Sequence, residues 1–470
     1  VEFHVSLVGR DDLAGQIYRQ VKAAVLDGRL RTGEALPPTR ELTRRLSVSR
    51  NTVGAAYDRL TAEGFVAGRT GSGTYVQPGG FDRAPEPAAG QDIQPVPGWE
   101  RIRVPRMDRS TPDFDFRAGI PDVRLFPHAA WRRLLAHWFR TSGVDSPMYG
   151  DPAGHSGLRA ALARHVGVSR AVRATADDVV VTNGAQQAFD LVGRVLIEPG
   201  TCVAVEDPGY PPPRQLFRAL GAKVVGVPVD AEGIQVDQIP DSVRIVYVTP
   251  SHQFPLGMPM SLLRRTALLE WAERTGSVIV EDDYDSEFRF SGRPIEPLQS
   301  LDRAGRVIYV GSMSKVLLPV LRIGFLIAPR SLRTALQAAK YVADLHASMP
   351  LQAALAEFIE EGLLARHIRR ARNEYAQRHE LISTTLRRDF TGLVEPIRAT
   401  AGLHLAALLP EGTDDESIAE RARDTGVGVL ALRPYRKAKR GRPGLVLGYG
   451  GIAVPDIAEG LRRLHSCLAG

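Results

Sequence analysis

Residues 306–329 read RVIYVGSMSKVLLPVLRIGFLIAP, and the fold turns on how this stretch is read. Val307 to Val310 is a short apolar run with the composition of a buried strand. A turn of small residues, Gly311-Ser312-Met313-Ser314, follows and delivers Lys315. Arg322 then opens a second apolar run containing Gly324. A lysine amine is useful to a carbonyl group only if it is held in place and can lose its proton. A tight turn at a strand end does the holding. Ser312, Ser314 and Arg322 offer hydrogen bonds and charge to a phosphate. These residue types at this spacing suit a lysine bound as an imine to pyridoxal 5'-phosphate. A surface lysine in a serine-rich loop would look the same in isolation, so the rest of the chain decides.

Upstream, short apolar runs alternate with helix-like stretches. Val179–Thr182, Cys202–Glu206, Lys223–Val227, Val243–Val248 and Ser277–Glu281 read as strands. Phe126–Phe139, Leu158–Val166, a run opening at Asn183-Gly184-Ala185, Arg214–Leu220 and Leu262–Arg274 read as helices. This rhythm predicts an α/β unit with a mixed or mostly parallel sheet, covered by helices on both sides. Ligands in such sheets sit beyond the carboxyl ends of the strands. The loops at those ends carry the chemistry. Gly184 and Ala185 turn a strand into a helix N-terminus, where free backbone N–H groups point at an anion. Tyr210, after Asp207-Pro208-Gly209, can lie over a flat ring. In Val280–Phe288, a carboxylate beside a pyridine nitrogen would keep that nitrogen protonated. Asp282, directly after the strand, is the choice for that role. Asp283 competes, and spacing alone does not separate them. Tyr284 can hydrogen-bond the ring's O3' hydroxyl. The acidic run also suits a metal, but nearby histidine is lacking and the lysine site lies downstream, so no metal is expected.

Residues 1–77 read as a separate module. Leu13–Leu26 carries helix-spaced apolar residues, and Pro37-Pro38 makes a rigid bend. Thr39 can cap a second helix that buries Leu42 and Leu46. Ser49 can cap a third, Arg50–Glu63, which Gly64 stops. Phe65-Val66 and Thr74–Val76 form a hairpin whose glycine-rich tip carries Arg69. The pattern is a helix-turn-helix with a wing. Arg50, Asn51 and Thr52 lie at the start of the third helix, where side chains reach base edges or phosphates. Arg40 can reach the DNA backbone, and Arg69 the neighbouring minor groove.

Residues 78–112 are rich in proline and glycine and read as an extended linker. Arg101, Arg103, Arg106 and Arg109 add positive charge near its end and are expected to solvate it rather than touch DNA, and Trp99 is a candidate to pin it onto one of the domains. The remaining residues, 113–470, form the large domain. Its last part, from about residue 330, begins with helices over Leu336–Leu345 and Leu351–Ile359. A smaller C-terminal α+β subdomain follows, with strands near Gly402–Leu405 and Gly426–Leu430. His404 reads as a packed strand residue, and the basic run Arg436–Arg442 as a solvated loop. At 470 residues, more than one core is expected. Hydrophobic content of 44% and charged content of 24% fit a soluble globular protein, and a net charge of +7 permits a nucleic-acid partner. Two distant cysteines make neither a disulfide framework nor a metal cluster. No signal peptide or membrane span is read, which makes the cytoplasm the expected compartment.

The segment LPPTRELTRRLSVSRNTV and its surroundings resemble the winged helix-turn-helix of the GntR regulator family. YGDPAG, VTNGAQQAFD, EDPGYP, VTPSHQFPLG, EDDYDSEFRF and GSMSKVLLPVLRIGF resemble a fold-type I pyridoxal-phosphate aminotransferase. The combination resembles the MocR/GabR group of regulators. This resemblance implies that Lys315 forms the internal aldimine, Asp282 pairs with the pyridine nitrogen, Tyr284 touches O3' and Tyr210 stacks on the ring. It places Gly184, Ala185, Ser312, Ser314 and Arg322 around the phosphate. Tyr149 would reach the phosphate of a neighbouring subunit, which implies a homodimer, head-to-tail. Arg40, Arg50, Asn51, Thr52 and Arg69 would contact double-stranded promoter DNA. Two departures stand out. Phe254 replaces the asparagine that usually contacts O3', leaving His252 or Gln253 for that role. The Gly444–Tyr449 region lacks the arginine that holds a substrate carboxylate, with Arg433 and Arg442 as nearby substitutes. The function implied is a transcriptional regulator sensing a small amine, an amino acid or pyridoxal phosphate itself. The alternative is a working aminotransferase carrying a DNA-binding module.

Overall fold

The helical and strand periodicities resolve into two compact units, Val1–Val96 and Pro97–Gly470, in the computed structural model. The structure describes residues 4–469 apart from 10, 70–72, 79–94, 97–98, 100–101, 103, 105–110, 141–147, 291–295 and 439–440. Most of the expected linker, including its four arginines, lies outside the described residues. Trp99, expected to pin it, is exposed.

In the first unit, helices α1 (Leu13–Leu26), α2 (Thr39–Leu46) and α3 (Arg50–Ala62) precede the antiparallel strands β1 (Val66–Arg69) and β2 (Gly73–Val76). Ile17, Val21, Leu42, Val53, Tyr57, Leu60 and Val76 share one core. The Ser49 hydroxyl caps α3 by accepting from the Thr52 N–H. Thr39 does not cap α2. It is the first helical residue, and Pro38 occupies the cap position without a side-chain bond. The rigid bend already fixes the entry angle of the chain, and the Tyr57 hydroxyl donates to the Pro37 carbonyl at 2.8 Å. The exposed start of α3 presents Arg50 and Asn51, with Thr52 half-buried behind them.

The second unit opens with β3 (Phe114–Asp115), α4 (His128–Trp138) and α5 (Ser156–Arg170). Its main sheet contains β4 (Val179–Thr182), β5 (Cys202–Asp207), β6 (Lys223–Asp230), β7 (Gly233–Ile234), β8 (Val243–Val248), β9 (Val278–Asp283), β10 (Val307–Ser312) and β11 (Gly324–Ile327). They lie in the order β4-β11-β10-β9-β8-β5-β6-β7. The central strands are parallel; β11 runs antiparallel between β10 and β4, and β7 folds back on β6.

Side chains alternate between faces along each strand. Ile245 and Tyr247 of β8 and Val278 and Val280 of β9 join a core with Phe189 of α6 (Ala185–Leu196). Val246, Val248 and Ile279 join the opposite core with Trp271 of α8, which spans Leu262–Thr275 after α7 (Pro211–Ala219). Both faces are therefore covered, as the long apolar strands require.

A second layer follows. Helices α9 (Leu298–Leu301), α10 (Arg333–Asp344), α11 (Met349–Glu360) and α12 (Leu363–Asp389) lead to β12 (Glu395–Pro396) and β13 (His404–Leu408). After α13 (Asp415–Asp424), the apolar run at 427–431 breaks in two. Residues of β14 (Val427–Gly428) pair with β3, whereas β15 (Leu430–Ala431) joins β16 (Gly444–Gly448). The single strand expected there is thus two short ones in different sheets. The chain ends on α14 (Val454–Ala469), which packs into the subdomain core through Ile457, Leu461 and Leu464.

Candidate functional site

Strand β10 runs parallel to β9 with Val310 opposite Asp282 and Gly311 opposite Asp283. That register brings the turn carrying Lys315 to the carboxyl end of β9. There the chain encloses a cavity of about 380 Å³. Lys315, Asp282, Tyr284, Tyr210, Ala185, Ser312, Ser314 and Arg322 all line it. Gly184 adjoins it through the Arg322 guanidinium. Tyr149 is not among the lining residues; it is exposed, with its ring 6.0 Å from that of His346.

Strand parity separates the two competing aspartates. Asp282 shares a face with Val280 and Tyr247, and the Tyr247 hydroxyl donates to its Oδ2 at 2.6 Å. Its Oδ1 is buried without a hydrogen-bond partner. Burial, only partly offset by the Tyr247 hydroxyl, pushes this carboxyl up to about 7. Asp283 points to the other face. It accepts from Arg170 Nε at 2.9 Å and from the Tyr309 hydroxyl at 2.6 Å. Burial pushes Asp283 up, but Arg170 and these hydrogen bonds outweigh it and hold the carboxyl below its usual value. Asp283 therefore serves the fold beneath the site, and Asp282 faces the cavity.

The Lys315 amine donates to the Gly119 carbonyl at 2.7 Å. Burial lowers its pKa against the opposing pull of Asp285 and Asp282. A buried amine with a lowered pKa supplies the neutral nucleophile more readily. At the other side, α6 begins at Gly184, which has φ +75° and no capping side chain. Its first N–H groups face the cavity end with their partial positive charge. Arg322 bonds the Asn183 carbonyl at 2.7 Å, and the Ser312 hydroxyl accepts from the Ser314 N–H at 3.1 Å. Together these form an anion cradle. The Tyr284 hydroxyl donates to the His252 carbonyl at 2.9 Å and lies 3.0 Å from His252 Nδ1. His252 is in turn paired with the buried Asp285. Gln253 is committed elsewhere: its amide donates to the carbonyls of Pro208 and Phe254, and its oxygen accepts from the Leu256 N–H.

Several cavity residues escape local sequence reading. Gly119 and Tyr435 line the cavity from distant segments that only the folded chain brings together, and Tyr247, outside the lining, reaches Asp282 from the neighbouring strand. Tyr247 had one usable signal, a hydroxyl on the same strand face as Asp282. His404, expected as strand packing, is buried on β13, and its ring also lines the cavity. The substitutes considered for the missing arginine point away. Arg433 pairs with Glu416 and Arg442 with Glu395, and neither lines the cavity.

A two-part architecture with an amine, an acid and an anion cradle at the strand ends defines a DNA-binding module fused to an aminotransferase fold. Residues 13–76 match the model of bacterial regulatory proteins of the gntR family, and residues 115–444 match aminotransferase class I and II. The chain belongs to the MocR/GabR group of GntR-family transcriptional regulators. It is 38% identical over 457 residues to the probable rhizopine catabolism regulatory protein MocR of Rhizobium meliloti, covering 96% of this chain and 92% of that protein. It is 32% identical to the pyridoxine biosynthesis transcriptional regulator PdxR of Corynebacterium glutamicum, covering 93% and 91%. Among solved structures, the α-aminoadipate aminotransferase LysN of Thermus thermophilus is similar with a TM-score of 0.70 and 32% identity, over 76% of this chain and 92% of that one. No helix among the described residues is long and apolar enough to cross a membrane.

Proposed function

We propose that this regulator holds pyridoxal 5'-phosphate at Lys315 and reads a small amine there, while its winged module binds promoter DNA. The observation that carries the reading is Asp282 Oδ1, a buried acceptor without a partner in the same cavity as Lys315. A buried carboxylate oxygen is costly unless a donor meets it, and a protonated pyridine nitrogen is such a donor. When bound, the cofactor supplies an aldehyde that condenses reversibly with primary amines and a ring that accepts electrons. Lys315 holds that aldehyde. Tyr247 orients the Asp282 carboxylate, Tyr284 faces O3', and Tyr210 covers the ring. Gly184, Ala185, Ser312, Ser314 and Arg322 take the phosphate.

Arg50, Asn51 and Thr52 contact the major groove, Arg40 the backbone and Arg69 the minor groove. The protein works as a homodimer, head-to-tail, with Tyr149 directed at the partner's phosphate site. One relative is a probable regulator of rhizopine catabolism and another regulates pyridoxine biosynthesis, which supports a small-molecule effector, with the cofactor itself among the candidates. The test is absorbance of purified protein with added pyridoxal phosphate, followed by borohydride reduction and mapping of the modified residue. A modified Lys315 is expected. A colourless protein that borohydride leaves unmodified would overturn the proposal. The likeness to aminotransferases favours a second reading, a working enzyme. Product exceeding one equivalent per subunit from a candidate amino donor would establish it.

A further inference from the structure

We infer that the effector of this cavity is a small primary amine that bears no carboxylate, its remaining groups being neutral. The inference rests on the reading that Lys315 carries pyridoxal phosphate, and it narrows what approaches that lysine. The cavity wall away from the anion cradle is aromatic. Phe254 is its hub, with ring centroids 5.3 Å from Tyr210, 5.2 Å from Tyr435 and 5.3 Å from His404. Among the described residues lining the cavity, the cationic side chains are Lys315 and Arg322. Arg322 is bound to the Asn183 carbonyl beside Gly184, on the phosphate side. The acids on the lining are Asp282 and Asp285.

His404 does not substitute as a cation. Burial, with His252 and Lys315 nearby, holds its imidazole well below the usual value, so it is neutral. Its Nε2 is buried without a partner and can hydrogen-bond a neutral ligand group. The strand where an arginine would clamp a carboxylate instead packs Val446 with Leu256, Met258, Ala406 and Leu432. Arg433 and Arg442 are tied to Glu416 and Glu395. Among the described residues of one chain no further cation meets a carboxylate entering here, so it would lose its water beside the Asp285 carboxylate. That cost is large for any buried ion left unpaired. An amine with hydroxyl or aromatic substituents meets no such penalty.

The experiment uses full-length protein loaded with pyridoxal phosphate and three matched pairs: ethanolamine and serine, phenethylamine and phenylalanine, butylamine and 4-aminobutyrate. Affinities are read by calorimetry and by the change in cofactor absorbance. At least one amine is expected to bind ~10-fold or more tighter than its carboxylate-bearing partner, with no pair reversed. Equal or tighter binding of the carboxylate-bearing member overturns the inference, as does silence from all six compounds. Borohydride trapping at Lys315 is run on the same preparation. Its failure overturns the cofactor reading itself, whereas trapping with a preference for carboxylates overturns only this inference.

Discussion

At the scale of single residues, the site depends on one carboxyl group kept out of water and half satisfied. Asp282 titrates at about 7 in the folded chain because it is buried. In an unfolded chain it would titrate at roughly 3.9. Its folded form therefore binds a proton more tightly than the unfolded form. Its contribution to stability is full below the unfolded value and is lost as pH rises towards 7. Glu206 and Glu281, also raised to about 7 by burial, act in the same direction. These carboxyls, with Glu287 raised to about 8, subtract stability as pH rises from 5 to 8. His155, His165, His367, His379 and His404, lowered by burial, add it over the same range. The part due to Asp282 is therefore read as a difference between variant and wild type. Replacing Asp282→Asn removes one of these titrations and keeps the shape. The cofactor-free variant should gain stability relative to the wild type as pH rises and melt above it at pH 8, which scanning fluorimetry across that range would read. Parallel curves would mean that Asp282 is not the buried proton site. The same variant should bind pyridoxal phosphate at least ~10-fold more weakly, because a neutral amide loses a charge-assisted hydrogen bond worth roughly 1.5–3 kcal/mol.

At the scale of elements, close backbone approach shapes the anion cradle. Strand β11 pairs with β4 so that Gly324 lies opposite Thr182. A Cβ on Gly324 would come 2.7 Å from the Gly184 carbonyl carbon and 2.9 Å from the Ala185 nitrogen. These are backbone atoms and cannot swing aside. Gly324→Ala should therefore cost roughly 1–3 kcal/mol of stability and displace the α6 N-terminus. A lower urea midpoint together with weakened phosphate binding is the expected pair of results. Ser314→Ala, which removes one hydroxyl and adds no bulk, should weaken cofactor binding with little change in the midpoint.

The same contrast explains what was legible in the sequence. The turn at 311–315, the Gly184 turn and the Ser49 cap are local patterns, and each could be read from a few neighbouring residues. The helices and wing of the first module were equally legible, because their contacts are short in range. The choice between Asp282 and Asp283 was not. Strand β9 carries apolar and acidic residues on both faces, Val278, Val280 and Asp282 on one and Ile279, Glu281 and Asp283 on the other, so its polarity pattern carries no sign of which face meets α6. Gly119 was illegible for a simpler reason: its contact with Lys315 spans 196 residues, and nothing near it announces the partner.

At the scale of the whole molecule, the two units keep separate cores. Val5 to Val76 supplies one, and residues from Phe116 onward supply the others. Mutations that disable one site should therefore leave the other folded. Arg50→Ala is expected to weaken promoter binding: loss of a base contact would relax sequence selectivity, and loss of a phosphate contact would lower the salt slope by about 1. Cofactor absorbance should be unchanged. Lys315→Ala should abolish the borohydride-trapped adduct while sparing basal DNA affinity. Regulation demands more than two intact sites, because an effector shifts an equilibrium only through a difference in its affinity for the two states. Linkage then fixes the size of the return effect. If the effector changes DNA affinity by some factor, DNA must change effector affinity by the same factor. Calorimetric titration of the effector, with and without the promoter fragment, measures one side, and DNA binding at zero and saturating effector measures the other. The two factors should agree in the wild type, and both should fall to one in Lys315→Ala. A lysine variant that still transmits the effector's signal to DNA would remove Lys315 from the sensing path and place the coupling in contacts that need no covalent attachment.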